Sequence, residues 1–229
     1  DDLDWIGIST KVVKFSGGEP FMSTLMPKVL QKLIDVKNLN AMIKIHTNMV
    51  FDTKLLDKII PLLKQFESKI QFSMSIDGFG DVAKFCRPGW TDEKFLNNYR
   101  RLRLEFPTAF FNVNWTLTSV SIFGLADTIT FCRSERILNP GLQLAKLAPV
   151  EEKESASYIS HTVLKREVIV KELEKSRISV LSEPKLVKIL DNFIDLCLSH
   201  FKQDVFYPHE LDVLQEDCKL RGMSNFFEK

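Results

Sequence analysis

Through the first two-thirds of the sequence, short β-prone apolar runs alternate with longer stretches of helical period, a pattern few architectures accept. Residues 11–16 (KVVKFS) end at Gly17-Gly18 and read as a buried strand stopped by a turn. Ser23 and Thr24 stand where they can cap a helix with Leu25, Val29, Leu30, Leu33 and Ile34 on one face. Pro27 falls in its first turn, where proline is tolerated. Met42–Thr47 (MIKIHT) is a second strand. Asp52 is placed to cap a helix with Leu55, Leu56, Ile59, Ile60 and Leu63 turned inward and a kink expected at Pro61. Residues 70–76 (IQFSMSI) form a third strand ending at Asp77-Gly78. Thr91 can cap a helix carrying Phe95, Leu96, Tyr99 and Leu102. Phe110–Leu117 (FFNVNWTL) is strongly β-prone, residues 123–131 read as a short helix, and residues 141–147 (GLQLAKL) as a weaker strand. Strands separated by helices imply β-α-β units, hence a parallel sheet with right-handed crossovers. The expected fold class is α/β, an open or partial (β/α) barrel.

The pattern changes at residues 151–157 (EEKESAS), a charged, small-residue stretch read as an exposed loop. Residues 1–150 are expected to form the barrel core. Residues 151–229 are expected to form a helical extension, with helices near 160–174 and 184–201 and a polar tail. These helices are expected to cover the sheet. A chain of 229 residues, 45% hydrophobic, can bury one substantial core. Its 31 Lys+Arg against 30 Asp+Glu argue against a nucleic-acid partner bound through a broad basic surface. No apolar run reaches the roughly 18–20 residues that span a bilayer, and Asp1, Asp2 and Asp4 do not make a basic leader, so no membrane partner is expected. Cys86, Cys132, Cys197 and Cys218 are spread far apart and read as free thiols; they show no zinc or iron–sulfur ligand spacing. His161, His200 and His209 share no metal-binding spacing; His46, at a strand end, is placed where it could point into a site but reads first as a neutral turn histidine.

In a parallel α/β sheet, ligands gather at the carboxyl ends of the strands. Here those ends carry Ser16-Gly17-Gly18-Glu19-Pro20, then Thr47-Asn48, then Ser75 with Asp77-Gly78, then Asn114 with Thr116. Glycines let a backbone approach a ligand closely, and a carboxylate there can receive an ammonium group. Each of these alone also suits an ordinary turn. Four strand ends loaded alike point to a site. The nearby aromatics Phe79, Phe110, Phe111 and Trp115 read as core packing before substrate contacts.

The string FSGGEP after a Val-rich strand resembles the GGEP motif of the radical S-adenosylmethionine (SAM) superfamily. HTN at residues 46–48, SMSIDG at 73–78 and Arg87-Pro88-Gly89 before Trp90 follow in matching order. Residues 117–127 (LTSVSIFGLAD) and 139–149 (NPGLQLAKLAP) are similar to members with SPASM or twitch extensions, and the resemblance covers roughly residues 11–175. It implies that Gly17, Gly18 and Glu19 bind the methionyl ammonium of SAM, that Asn48 lies near the ribose or sulfonium, and that Ser75 and Arg87 hold the carboxylate. Asp77 is expected to organise its loop. The resemblance further implies a [4Fe–4S] cluster, a radical abstraction of hydrogen from a peptide, protein or other substrate, a reductant such as flavodoxin or ferredoxin, and a cytoplasmic, oxygen-poor setting.

One family element is missing. The CxxxCxxC loop that ligates the cluster does not occur, and only ten residues precede Lys11. As written, the sequence cannot perform the cluster chemistry. Either it represents part of a longer protein or omits internal segments, or the protein kept the fold and lost the cluster, acting as a binding or scaffold protein. The intact GGEP favours the former. A phosphate- or sugar-binding barrel ranks last, because Glu19 would repel phosphate where such a site needs a helix N-terminus and a cation.

Overall fold

The computed structural model describes residues 3–137, 139–144 and 166–200. Five strands, β1 (Val12–Phe15), β2 (Met42–Thr47), β3 (Ile70–Ser75), β4 (Phe110–Leu117) and β5 (Gly141–Leu144), form one sheet in the order β1-β2-β3-β4-β5. Sequence order in the sheet, with parallel pairing and helices between strands, is the partial-barrel arrangement the alternation implies. Contacts divide the chain into two compact units, residues 1–75 with 90–112, and 76–89 with 113–229.

In the first unit β1 and β2 are in register from Val12 opposite Met42 to Phe15 opposite Ile45, and β2 and β3 from Ile43 opposite Ile70 to Thr47 opposite Met74. Alternate residues Val13, Ile43, Ile45, Phe72 and Met74 are buried. The helices α1 (Leu25–Asp35), α2 (Leu55–Leu63) and α4 (Asp92–Glu105) supply the matching apolar surface: Met26, Val29, Leu30 and Leu33; Leu56, Ile59, Ile60 and Leu63; Phe95, Tyr99 and Leu102. Met26 takes the core position expected for Leu25, which lies exposed. Of these three helices only α4 carries a side-chain cap; the caps expected from Thr24 and Asp52 do not form, because α1 and α2 begin with Thr24 and Lys54 at the N-cap position and neither makes the bond. Thr91 accepts from Lys94 N at 3.2 Å, whereas Thr24 makes no side-chain cap and Ser23 Oγ accepts from Leu25 N instead. Asp52 Oδ1 accepts from Lys54 N. Pro61 lies inside α2, which gives way to 3₁₀ turns from Lys64 to Lys69. Aromatic rings close the core: Phe72 stacks on Phe111 at 4.8 Å and Phe21 on Phe51 at 4.6 Å. Burying each such ring contributes roughly 1.5–3 kcal/mol.

The second unit holds a helix the periodicity does not reveal, α3 (Gly80–Cys86). Seven residues are too few for a 3.6-residue period to declare itself, yet Val82, Ala83 and Phe85 are buried. Residues 121–124 form a 3₁₀ turn that leads into α5 (Leu125–Ser134), slightly longer than the expected helix. Here β4 and β5 pair in parallel, Asn114 opposite Gly141 through Leu117 opposite Leu144. Helices α6 (Arg166–Ile178) and α7 (Pro184–His200) share one core with β4 and α5, in which Trp115, Leu117, Leu125 and Ile129 meet Ile169, Leu173, Leu190 and Phe193. Trp115 meets Phe193 edge-to-face at 5.8 Å. Residues 145–147 of the fifth expected strand, residues 160–165 of the next expected helix, Cys218, His161 and His209 lie outside the described residues. Among the described residues no helix is long and apolar enough to cross a membrane.

Candidate functional site

The chain leaves β1 through Ser16, Gly17 and Gly18, and both glycines take positive φ, 87° and 56°. A side chain at either would be strained there, although a Cβ would meet nothing within 4 Å. The turn delivers Glu19 to the start of a one-turn 3₁₀ helix, where Oε1 accepts from Phe21 N at 3.3 Å. The carboxylate then reaches the end of the neighbouring strand. Thr47 Oγ1 lies 2.8 and 2.9 Å from its two oxygens, and Asn48 N donates to Oε2 at 2.9 Å. Glu19 is half-buried, with its carboxylate held by neutral donors.

The loop after β2 is itself anchored. Met49 adopts φ 60°, unusual for a non-glycine residue, and its N–H donates to Thr47 Oγ1 at 2.9 Å. Asn48 Oδ1 accepts from Val50 N at 2.8 Å. From α4, the fully buried Asn98 donates to the carbonyls of Met49 and Phe51, and its Oδ1 accepts from Thr53 Oγ1. An asparagine on the otherwise apolar stripe of Phe95, Tyr99 and Leu102 is the sequence signal that could have found it. Ser75 closes β3, half-buried.

In the second unit Arg87 ends α3, and its Nε lies 2.8 Å from Asp77 Oδ2. Asp77 is 8% exposed. Burial pushes its pKa up, while the Arg87 guanidinium and a backbone hydrogen bond from Thr116 draw it down. Asp77 is thus tied both to Arg87 and to the backbone of β4. The Arg87 side chain is half-buried. Gly78 and Gly124 make this turn compact: a Cβ on Gly124 would stand 2.4 Å from the Asp77 carbonyl oxygen and 2.6 Å from Gly78 Cα.

Thus the structure joins Glu19 to Asn48 directly and adds Thr47 as their common partner, whereas Arg87 is joined to Asp77. His46 sits within β2 rather than in a turn, and burial together with the Lys14 and Lys44 charges holds its pKa below the usual value. Of the aromatics near the strand ends, Phe111 and Trp115 are core residues, Phe79 packs on Phe131, and Phe110 is exposed.

The described residues do not fit an iron–sulfur cluster. Among the described residues no three His, Cys, Asp or Glu side chains come together as a metal site. Cys132 and Cys197 are buried thiols whose pKa is pushed up to about 12, the opposite of what a thiolate ligand needs.

No protein-family model matches this sequence, and neither does any curated protein. Solved structures do. Polyhistidine-tagged anSMEcpe with bound AdoMet superposes with a TM-score of 0.50 at 18% identity, over 73% of this chain and 42% of that one. Native anSMEcpe with bound AdoMet gives 0.50 at 17% identity, over 93% and 47%. The likeness is one of fold, shared with the matched part of anSMEcpe. A third structure, anSMEcpe with AdoMet and the Cp18Cys peptide, gives 0.49 at 17% identity, over 73% and 45%. This chain spans less than half the length of the solved chains it matches.

Proposed function

We propose that this chain is the SAM-binding core of a radical SAM enzyme. One observation carries the reading: a glycine turn after β1 presents Glu19 with both carboxylate oxygens held by Thr47 and Asn48 at the end of β2. In this reading Gly17, Gly18 and Glu19 receive the methionyl ammonium, Asn48 lies toward the ribose or sulfonium, and Ser75 and Arg87 hold the carboxylate. Asp77 keeps Arg87 in place for that task. SAM supplies an activated carbon–sulfur bond at its sulfonium. The residues of this chain bind and orient the amino-acid end of SAM by charge and hydrogen bonding. Hydrogen abstraction from a peptide or other substrate would need a [4Fe–4S] cluster with ligands outside the described residues, and a reductant such as flavodoxin or ferredoxin. A twitch- or SPASM-type subclass and a cytoplasmic setting belong to the same proposal.

Equilibrium dialysis with labelled SAM tests it. The protein should bind SAM, and Glu19→Gln should weaken binding by roughly ten- to a hundredfold, the worth of one charge-assisted hydrogen bond. Absence of SAM binding by the unaltered protein would sink the reading.

A further inference from the structure

Parallel sheets are normally covered on both faces, and their strands then read as near-continuous apolar runs. The first three strands here do not. On one face they bury Val13, Ile43, Ile45, Phe72 and Met74. On the other, Lys14 is exposed and Lys44, His46 and Gln71 are half-exposed. Register places Lys14 directly opposite Lys44, Lys44 opposite Gln71, and His46 opposite Ser73. Register partners in a parallel pair share a face and lie about 4.8 Å apart between strands. Burial lowers the pKa of His46, and the Lys14 and Lys44 charges lower it further. Like charges directly opposite one another destabilise a sheet. Among the described residues neither lysine is paired with a carboxylate.

We propose that the Lys14–Lys44 rung, flanked by His46 and Gln71, is an oxyanion platform that takes a dianionic group, a phosphate or a dicarboxylate. Two cations in one rung match two negative charges, Gln71 supplies an uncharged amide donor, and the imidazole adds an N–H. The platform's residues are other than Glu19 and the Thr47 and Asn48 that hold it. That the dianion belongs to the enzyme's substrate rests on the proposed function; the platform itself does not.

The four histidines, labelled with ¹³C, report on it by NMR, with the His46 signal assigned through His46→Gln. At constant ionic strength, inorganic phosphate or succinate should move that signal saturably and raise the His46 pKa. The double variant Lys14→Gln/Lys44→Gln should bind the probe at least tenfold more weakly and itself show a raised His46 pKa, with an unchanged circular dichroism spectrum. A response to phosphate alone supports a phosphate-bearing ligand, to succinate alone a dicarboxylate, and to both a platform selecting by charge. No saturable response to either, or the same response in the double variant, overturns the proposal. SAM dialysis on the same double variant separates the two readings. Absence of SAM binding by the unaltered protein fails the proposed function only, and an unchanged phosphate response in the double variant fails the platform only.

Discussion

Thr47 Oγ1 lies within hydrogen-bond distance of both Glu19 oxygens and also accepts from Met49 N, so one hydroxyl serves the carboxylate and the loop behind it. Replacing it with valine keeps the shape and removes both roles. Thr47→Val should therefore weaken SAM binding by about tenfold, the loss of one hydrogen bond to a charged group. Thr47→Ser should restore most of it. Methylthioadenosine lacks the amino-acid portion, so its binding should be unchanged in Thr47→Val; an equal loss for both ligands in dialysis would show that Thr47 only supports the fold. Asn98 acts at the same scale from farther away, since its amide satisfies two carbonyls of the loop that holds Met49 at φ 60°. Such a buried amide is tolerated because its groups are paired, and it fixes the loop where apolar packing would leave the carbonyls without donors.

Two elements meet closely where α3 begins and the 3₁₀ turn before α5 ends. Gly78 and Gly124 bring two backbones together, with Val82 Cγ1 of α3 only 2.9 Å from a Cβ built on Gly124. Backbone atoms cannot yield as a side-chain tip can. Gly124→Ala should cost about 1–3 kcal/mol or more through overpacking, read as a lowered midpoint in urea unfolding. It should also displace Asp77, whose carbonyl oxygen stands in the way, and with it Arg87. An unchanged midpoint would mean that α3 is free to shift. Helix length also sets what periodicity can locate. α2 and α4 are marked by nine- and fourteen-residue stretches with regularly spaced apolar residues, whereas α3 has too few turns to repeat.

Across the whole molecule, two shifted titrations pull stability in opposite directions with pH. Asp77 has a raised pKa, so the folded state holds its proton more tightly than the unfolded chain, and its contribution falls as pH rises from about its ordinary value of 3.8 through the folded value. His46 has a lowered pKa, so its contribution is lost as pH falls through its ordinary value of 6.5. Exposure of His46 makes the second effect small. Asp77→Asn should therefore gain stability relative to the parent as pH rises from 4 to 7, measured by thermal melts at both ends. The reverse trend would mean that the attraction to Arg87 outweighs burial. Local sequence is enough to specify the strands, most helices, the parallel α/β class and the Gly17-Gly18-Glu19 turn. Each rests on near neighbours: residues two to four apart, a capping side chain, a glycine that alone accepts positive φ. Folding in three dimensions was needed for Thr47 to hold Glu19 from 28 residues away, for Asn98 to reach Met49 across 49, and for Lys14 and Lys44 to share a rung. The same is true of Asp77 taking Arg87 as its partner. Those contacts depend on which strands become neighbours and in what register, and burial of the whole apolar face settles that, so no short stretch of sequence contains it.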